Sequence, residues 1–489
     1  MAKRTSRTST SRRNYSNRMS ERRRRRQRRK LLRLAIIIGI ALILLIGGIF
    51  LIKKLLGNSA PASGTVAETT TEEETTTLEP STVDPAILHA EHIAVADRLA
   101  AGYDYDAAIA HIQSFSGYES IPAMTEAISG YEATKATLVK YDPTQVTHIF
   151  YHSLVADPSL AFDGDSKEDG YNQVMTTIDE FNKITLEMYN RGYVLVSIHD
   201  LGHIEVQEDG TEVMVPGEIW LPEGKKPFVL SQDDLSYYHY MDGDGFATRI
   251  VIDTDGTPTC EYKQPDGTIV TGSYDMVPLI DDFVEAHPDA SYRGAKGVIA
   301  LTGYNGILGY RTDTPYKTGE DLDIYQQAWL DAHPDFNFEQ ECADAKAVAE
   351  CMKANGWEFA SHSYGHRYYG QISKEDFLAD SQKWEERVEP LIGDTDVIIY
   401  AFGDDISDWH PYNGDNWRFN HLKKLGFDYF CNVDSNQYWV QIGKDFLRQG
   451  RRNLDGTRMW ITISGGKDRT SDLFDAASVF DPARPTPVP

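Results

Sequence analysis

Residues 227–238 read PFVLSQDDLSYY, and the fold of the chain turns on this stretch. Phe228, Val229 and Leu230 form a short apolar run of the kind buried on both faces of a parallel sheet. Ligands of such sheets gather where strands give way to loops, and this loop opens on two adjacent carboxylates, Asp233 and Asp234. Neighbouring side chains on an extended backbone point to opposite sides, so the pair can divide two tasks, one holding a metal and one acting as a base. The same pair also fits a solvated turn or a helix cap. A partner elsewhere in the chain has to decide.

That partner is His362-Ser-Tyr-Gly-His366, directly after the apolar segment 358–360. Two histidines four apart in a helical turn share a face and can chelate one ion. Two imidazoles and one carboxylate, with positions left for water, make a catalytic rather than a closed structural site. His199 and His203 have the same spacing after the apolar run 193–197, but no second ligand cluster is paired with them. They read as a turn or cleft wall, with a metal site as the alternative.

Outward from these motifs, apolar runs at 147–151, 193–197, 227–231, 297–301, 358–360, 397–401 and 429–432 alternate with helix-like stretches at 171–190, 338–355, 374–391 and 417–425. Residues 459–464 read as a late strand. The alternation predicts an α/β fold with a parallel sheet or barrel across 142–470. Turn sequences interrupt it at 241–275, where a β-hairpin insertion is expected. The Asp-rich part of that insertion lacks the ligand spacing of a calcium loop and reads as ordinary turns.

Toward the N-terminus the composition changes sharply. Residues 1–56 hold 17 Lys and Arg against the single acid Glu21, so with a net charge of −26 for the chain the remainder carries about −42. Residues 34–52 are 19 uncharged residues, long enough to cross a bilayer as a helix. The preceding arginines place the N-terminus in the cytoplasm and everything after Gly57 outside. The reading is a basic cytoplasmic tail (1–30), a membrane helix (31–56) and a disordered Thr/Glu-rich stalk (57–85), followed by a helical neck (86–141) and a C-terminal tail (471–489). His89, His92 and His111 of the neck read as surface residues. The four cysteines form no CxxC and read as small buried apolar residues.

The two motifs resemble the polysaccharide deacetylases of the NodB-homology type, carbohydrate esterase family four. Residues 231–235, SQDDL, are similar to that family's Thr-Phe-Asp-Asp-Gly, and His362, Ser363 and His366 match its His-Ser/Thr-x-x-His. The resemblance spans roughly 145–465 and implies a distorted (β/α) barrel with a divalent metal, expected to be zinc, at the strands' C-terminal ends. By that similarity Asp233 is the general base and Asp234, His362 and His366 are the ligands. Where the family has Arg-x-Pro-Tyr/Phe-Gly, residues 399–403 read IYAFG, lacking both Arg and Pro. The Phe402 backbone N–H keeps the oxyanion role, which needs no side chain. Arg451 or Arg452 is the candidate to orient the base, and Tyr400 and Trp439 are assigned to the substrate pocket. The family's late His is missing from 459–464. Residues 150–153, FYHS, resemble the Tyr-His opening of poly-N-acetylglucosamine deacetylases, a branch with permuted motifs, which makes His152 the expected general acid.

The function this implies is a membrane-anchored, extracellular, metal-dependent deacetylase acting on N-acetyl groups of a wall or surface glycan. Two other readings use the same parts: an O-acetyl esterase, and a glycan-binding or wall-organising protein that has lost turnover. The acidic outer part repels phosphate, which argues against nucleic acid, and no protein partner is implied.

Overall fold

The chain is described by a computed structural model covering residues 84–489. The expected cytoplasmic tail, membrane helix and nearly all of the stalk lie outside the described residues. Among the described residues, no helix is long and apolar enough to cross a membrane.

Seven short strands, each followed by a loop at its C-terminal end, pair in chain order. They are β1 (Thr147–Tyr151), β2 (Lys226–Asp233), β3 (Val298–Leu301), β4 (Glu358–Ser361), β5 (Val397–Ile399), β6 (Tyr429–Val433) and β7 (Leu447–Asn453). Every neighbouring pair is parallel, and β7 returns to β1, so the sheet closes into a barrel. The ring is uneven at one seam. β3 pairs only with Ser231–Asp233 of β2, while the short strand Tyr193–Leu195 pairs with Lys226–Phe228. A wedge therefore enters the N-terminal half of the barrel between β2 and β3, and the C-terminal half closes tightly around Asp233.

The β/α alternation has a direct cause in the layered core. Outward residues such as Ile149 and Leu230 pack beneath amphipathic helices, while Val229, Ala300, Ala360, Ile399 and Cys431 fill the interior. The outer helices begin on side-chain caps: Thr177 before Ile178–Asn190, Asn337 before Phe338–Ala354, Ser373 before Lys374–Arg387 and Asn416 before Trp417–Leu425.

Several expectations need correction. The helices Pro85–Ala101, Tyr105–Gln113 and Pro122–Lys135 are not a detached neck, because Ala96, Ala108 and Ile112 share one apolar cluster with barrel residues Val298, Val397 and Tyr429. They cover the N-terminal mouth of the barrel, where the Gly102 carbonyl accepts the Arg293 amide at 2.7 Å, just ahead of β3. The expected helix 171–190 is broken before Thr177, whose hydroxyl and Glu180 form a capping box. The insertion near 241–275 has three antiparallel strands, Arg249–Ile252, Pro258–Lys263 and Ile269–Gly272. Residues 459–463 are helical, within Gly456–Ile463 capped by Asp455, and Ser464 closes the helix. The late strand is instead β7, whose LRQGRRN sequence hid it because its polar side chains are buried on partners rather than in apolar contacts. Cys260 and Cys431 are buried as expected, but Cys342 and Cys351 are half-exposed, and all four are free.

The C-terminal segment is built into the fold as well. Leu473, Phe474 and Val479 are buried in the outer core, and Arg484 forks onto Glu180 at 2.7 and 2.8 Å with both side chains fully buried. Arg484 also donates to the Asn172 carbonyl at 2.8 Å. Removing one partner of such a pair leaves an uncompensated charge. Arg484→Met is therefore expected to lower stability by about 3–5 kcal/mol, measured by urea unfolding monitored by circular dichroism. An unchanged midpoint would show that the segment does not hold the barrel.

Candidate metal centre

Asp233 is the last residue of β2 and follows the inward phase of Val229 and Ser231, so its carboxylate points into the barrel. Asp234 has left the strand with φ of +59°, in the left-handed region, and Tyr237 repeats this at +48°. A non-glycine residue there costs on the order of 1–3 kcal/mol and needs outside support. The support is visible. The Asp234 amide donates to Ala300 O at 3.1 Å, the Leu308 amide donates to Leu235 O at 2.8 Å, and buried Arg311 donates to the carbonyls of Ser236 and Tyr237 at 3.3 and 3.0 Å.

The histidine motif leaves β4 as a loop rather than the expected helical turn, with φ of +60° at Ser363 and +50° at His366. Asp380 of the helix Lys374–Arg387 holds the loop by accepting the amides of Tyr364 at 2.8 Å and Gly365 at 2.9 Å. His362 donates its Nδ1 proton to Ile399 O at 2.8 Å, which leaves Nε2 as the ligand atom. Asp234, His362 and His366 each present one ligand atom within 4.8 Å of the others, and Asp234 Oδ2 lies 3.5 Å from His366 Nε2. Ligands of one tetrahedral ion at about 2.05 Å stand roughly 3.3 Å apart, close to the Asp234–His366 separation, so these residues are compatible with a divalent metal. Burial lowers the His366 pKa, with Asp234 offsetting part of the effect, which favours the neutral ring that a ligand needs.

Behind the ligands lies a buried polar chain. Arg451 donates to both oxygens of Asp233, at 2.7 and 2.9 Å, and to Ser231 Oγ at 3.1 Å. Ser231 in turn meets His148 Nε2 at 2.9 Å, and His148 Nδ1 meets Gln449 Oε1 at 3.0 Å. Burial and Arg451 hold His148 far below its ordinary pKa, so it is a neutral bridge. For Asp233, burial works to raise the pKa, but Arg451 and His362 outweigh it and hold the carboxyl well below the usual range. Asp233 Oδ2 lies 3.9 Å from His362 Nε2, beside the ligand atoms without being one of them.

Of the two candidate arginines, Arg451 points inward to Asp233, whereas Arg452, one residue along the strand, points outward and pairs with Asp472 at 2.7 and 2.8 Å. His152 follows β1 in the inward phase, near enough to Asp233, His366 and Asp455 to shift their pKa values, with Nδ1 at 3.2 Å from Val174 O. Phe402 has φ of +58°, and its exposed ring lies 4.2 Å from that of His366.

Both pocket assignments change, and the second HxxxH motif, which forms the expected turn at Ile198–Asp200, stands apart from the site. Tyr400 is 1% exposed with its hydroxyl on Tyr412, so it lines no open pocket. Trp439 packs over Arg448, 4.9 Å from ring centre to guanidinium, on the outward face of β7. His199 binds Glu358 at 2.7 Å and Asp396 at 3.0 Å, where β4 and β5 begin, which is the opposite end of the barrel from the ligands. Although burial opposes it, these carboxylates raise the His199 pKa well above normal, which suits an ion pair and not a ligand. His203 is exposed beside Glu205. In the N-terminal helices His92 and His111 are stacked and half-buried rather than fully at the surface.

Sequence reading missed Asp380, Ser231, His148 and Gln449. The one available signal for the last was the run RQGRR, too polar for an exposed strand to require and too short for a helix.

No family model matches the sequence, and no curated protein matches it. Among solved structures the chain is similar to one described as Streptococcus pyogenes deacetylase PplD in complex with acetate. Identity is 13%, 64% of this chain and 93% of that chain are covered, and the TM-score is 0.32. A likeness at that level carries no argument about function, which rests on the side chains.

Arg451→Met removes the cation that holds Asp233 down while leaving the carboxylate buried. Stability is expected to fall by about 3–5 kcal/mol. Asp233 contributes stability above its unfolded pKa of about 3.9 that is lost as pH falls below it, so the variant should unfold at a higher pH than the unaltered chain. Superimposable acid-unfolding curves would refute the coupling.

Proposed function

We propose that the chain is a metal-dependent hydrolase that removes N-acetyl groups from a glycan built of acetylated amino sugars, anchored by residues 31–56 with its barrel outside the cell. The observation that carries this reading is the meeting of Asp234, His362 and His366 at one point beside an ionised carboxylate, Asp233, that is fixed by Arg451. A divalent cation held by these three ligands, with zinc the expected ion, supplies Lewis-acid chemistry that polarises a carbonyl and acidifies water.

The protein groups divide the remaining work. Asp233 accepts the proton of the attacking water. Its low basicity keeps it ionised at any working pH, and the Arg451 fork keeps both oxygens in place. The Phe402 amide, on a residue whose ring meets that of His366, is the donor this reading assigns to the acetyl oxyanion. His152, on the Asp233 side, delivers a proton to the departing nitrogen, because an amine leaves poorly unless protonated. The rim favours a sugar ring over a small ester. Phe402 and Tyr368 are exposed and stacked at 3.9 Å and 5°, forming a flat aromatic surface next to a metal ligand, with exposed Tyr240 on the Asp234 side. Aromatic faces suit the apolar face of a pyranose.

The binding-only reading draws on the departures at Gln232, Leu235, Ile399 and Ser464. Arg451 reaches the Asp233 carboxylate from β7, which answers the part of it that rests on Ile399.

Acetate release from acetylated glucosamine oligomers, measured with and without a chelator, tests the reading. His362→Ala is expected to lose both metal and activity, and full zinc occupancy in that variant would refute the ligand set. Asp233→Asn should keep the metal and lose roughly 10²–10⁴-fold in kcat. For His152→Ala, N-acetyl turnover should fall far more than turnover of an aryl acetate, whose leaving group needs no proton. An equal loss on both substrates would place the acid elsewhere.

A further inference from the structure

Asp234 has two carboxylate oxygens, and the structure treats them differently. Oδ2 is the atom 3.5 Å from His366 Nε2. Oδ1 accepts the phenolic hydrogen of Tyr238 at 2.8 Å. We propose that Tyr238 is a positioning residue for the metal ligand: by occupying Oδ1 it leaves Asp234 one oxygen to offer, so that the cation is held by three protein atoms and keeps open positions for water and the acetyl carbonyl. This rests on the metal-dependent reading above and adds to it the means by which the site stays open.

Three observations support the assignment. First, the direction of the hydrogen bond is set. An ionised carboxylate can only accept, so the phenol donates to Asp234, and its own oxygen accepts from Thr302 Oγ1 at 2.7 Å. Ser236 Oγ lies 3.3 Å from Thr302 Oγ1 and completes a one-way chain of hydroxyls ending on the ligand.

Second, the ring is packed in place. Tyr238 is buried and stacks near-parallel with two other rings, Tyr240 at 5.6 Å and 14° and Tyr304 at 4.9 Å and 16°. Third, Tyr238 lies four residues after a ligand whose backbone is in a costly conformation, and the carbonyls of Ser236 and Tyr237 between them are clamped by Arg311. The turn therefore delivers the carboxylate and its restraint as one unit. Freed from Tyr238, Asp234 could turn both oxygens toward the ion, which would fill a position the reaction needs.

The test uses the full chain stripped of metal. Zinc affinity is measured by competition with a chromophoric chelator, and cobalt(II) is titrated in as a spectroscopic probe of coordination number. Tyr238→Phe keeps the three-ring stack and loses only the hydroxyl. It is expected to weaken zinc binding by about 10–100-fold and to change the intensity of the cobalt visible bands. Thr302→Val, which removes the donor behind the phenol, should shift both readouts in the same direction by less. A Tyr238 with only a packing role would leave both readouts unmoved in Tyr238→Phe. Tight zinc binding by the unaltered chain with equal affinity and an identical cobalt spectrum in Tyr238→Phe would overturn the assignment alone. No zinc binding by the unaltered chain would overturn the metal reading and this assignment with it.

Discussion

The two hydrogen bonds from Arg451 to Asp233 are the constraint around which the site is arranged. Both groups are nearly inaccessible to water, and neither would be tolerated there alone. Their pairing requires β7 and β2 to face each other across a closed ring with β1 between them, so the ion pair and barrel closure depend on one another. A further hydrogen bond from Arg451 and the ring of His148 draw Ser231 and Gln449 into the same buried polar network, in which Arg451 Nε alone of that guanidinium's nitrogens finds no partner. The N-terminal half of the barrel is apolar and is covered by the N-terminal helices.

Strain collects where the chemistry is expected. Asp234, Ser363, His366 and Phe402 all have positive φ, and all belong to loops leaving the C-terminal ends of strands. Arg311 and Ala300 hold the aspartate turn, and Asp380 holds the histidine loop. Stiff loops of this kind hold the Asp234, His362 and His366 side chains together in advance, so that a cation bound there would spend less binding energy on ordering them.

Much of this was legible in the chain. The strands 147–151, 297–301 and 397–401 lie within a residue or two of β1, β3 and β5, because short apolar runs with β-branched residues have few other uses in a buried sheet. The helix Trp417–Leu425 was read to the residue. β7 was not, because LRQGRRN has the composition of a surface loop and becomes a strand only when the barrel supplies carboxylates and carbonyls for its arginines. The Met459–Ile463 run was taken for that strand because apolar alternation over five residues does not distinguish a short strand from one face of a helix. Tyr400 and Trp439 were misplaced for a related reason: aromatic residues near a motif look like pocket walls until the inward phase of each strand is known.

By itself the sequence determined the ligand types, their order along the chain and the β/α alternation, since these depend on residue chemistry and local periodicity. It also carries the basic, apolar and Thr/Glu-rich segments of the first 85 residues, which are compositional features. Only the tertiary structure decided which of two adjacent arginines meets Asp233, and it set His199 and His203 at the opposite end of the barrel from the HxxxH motif that the sequence already preferred. The reason is geometric. A strand alternates its side chains between two faces and a parallel barrel has two distinct ends, and neither phase nor end is assigned until every strand has found its neighbours in the closed ring.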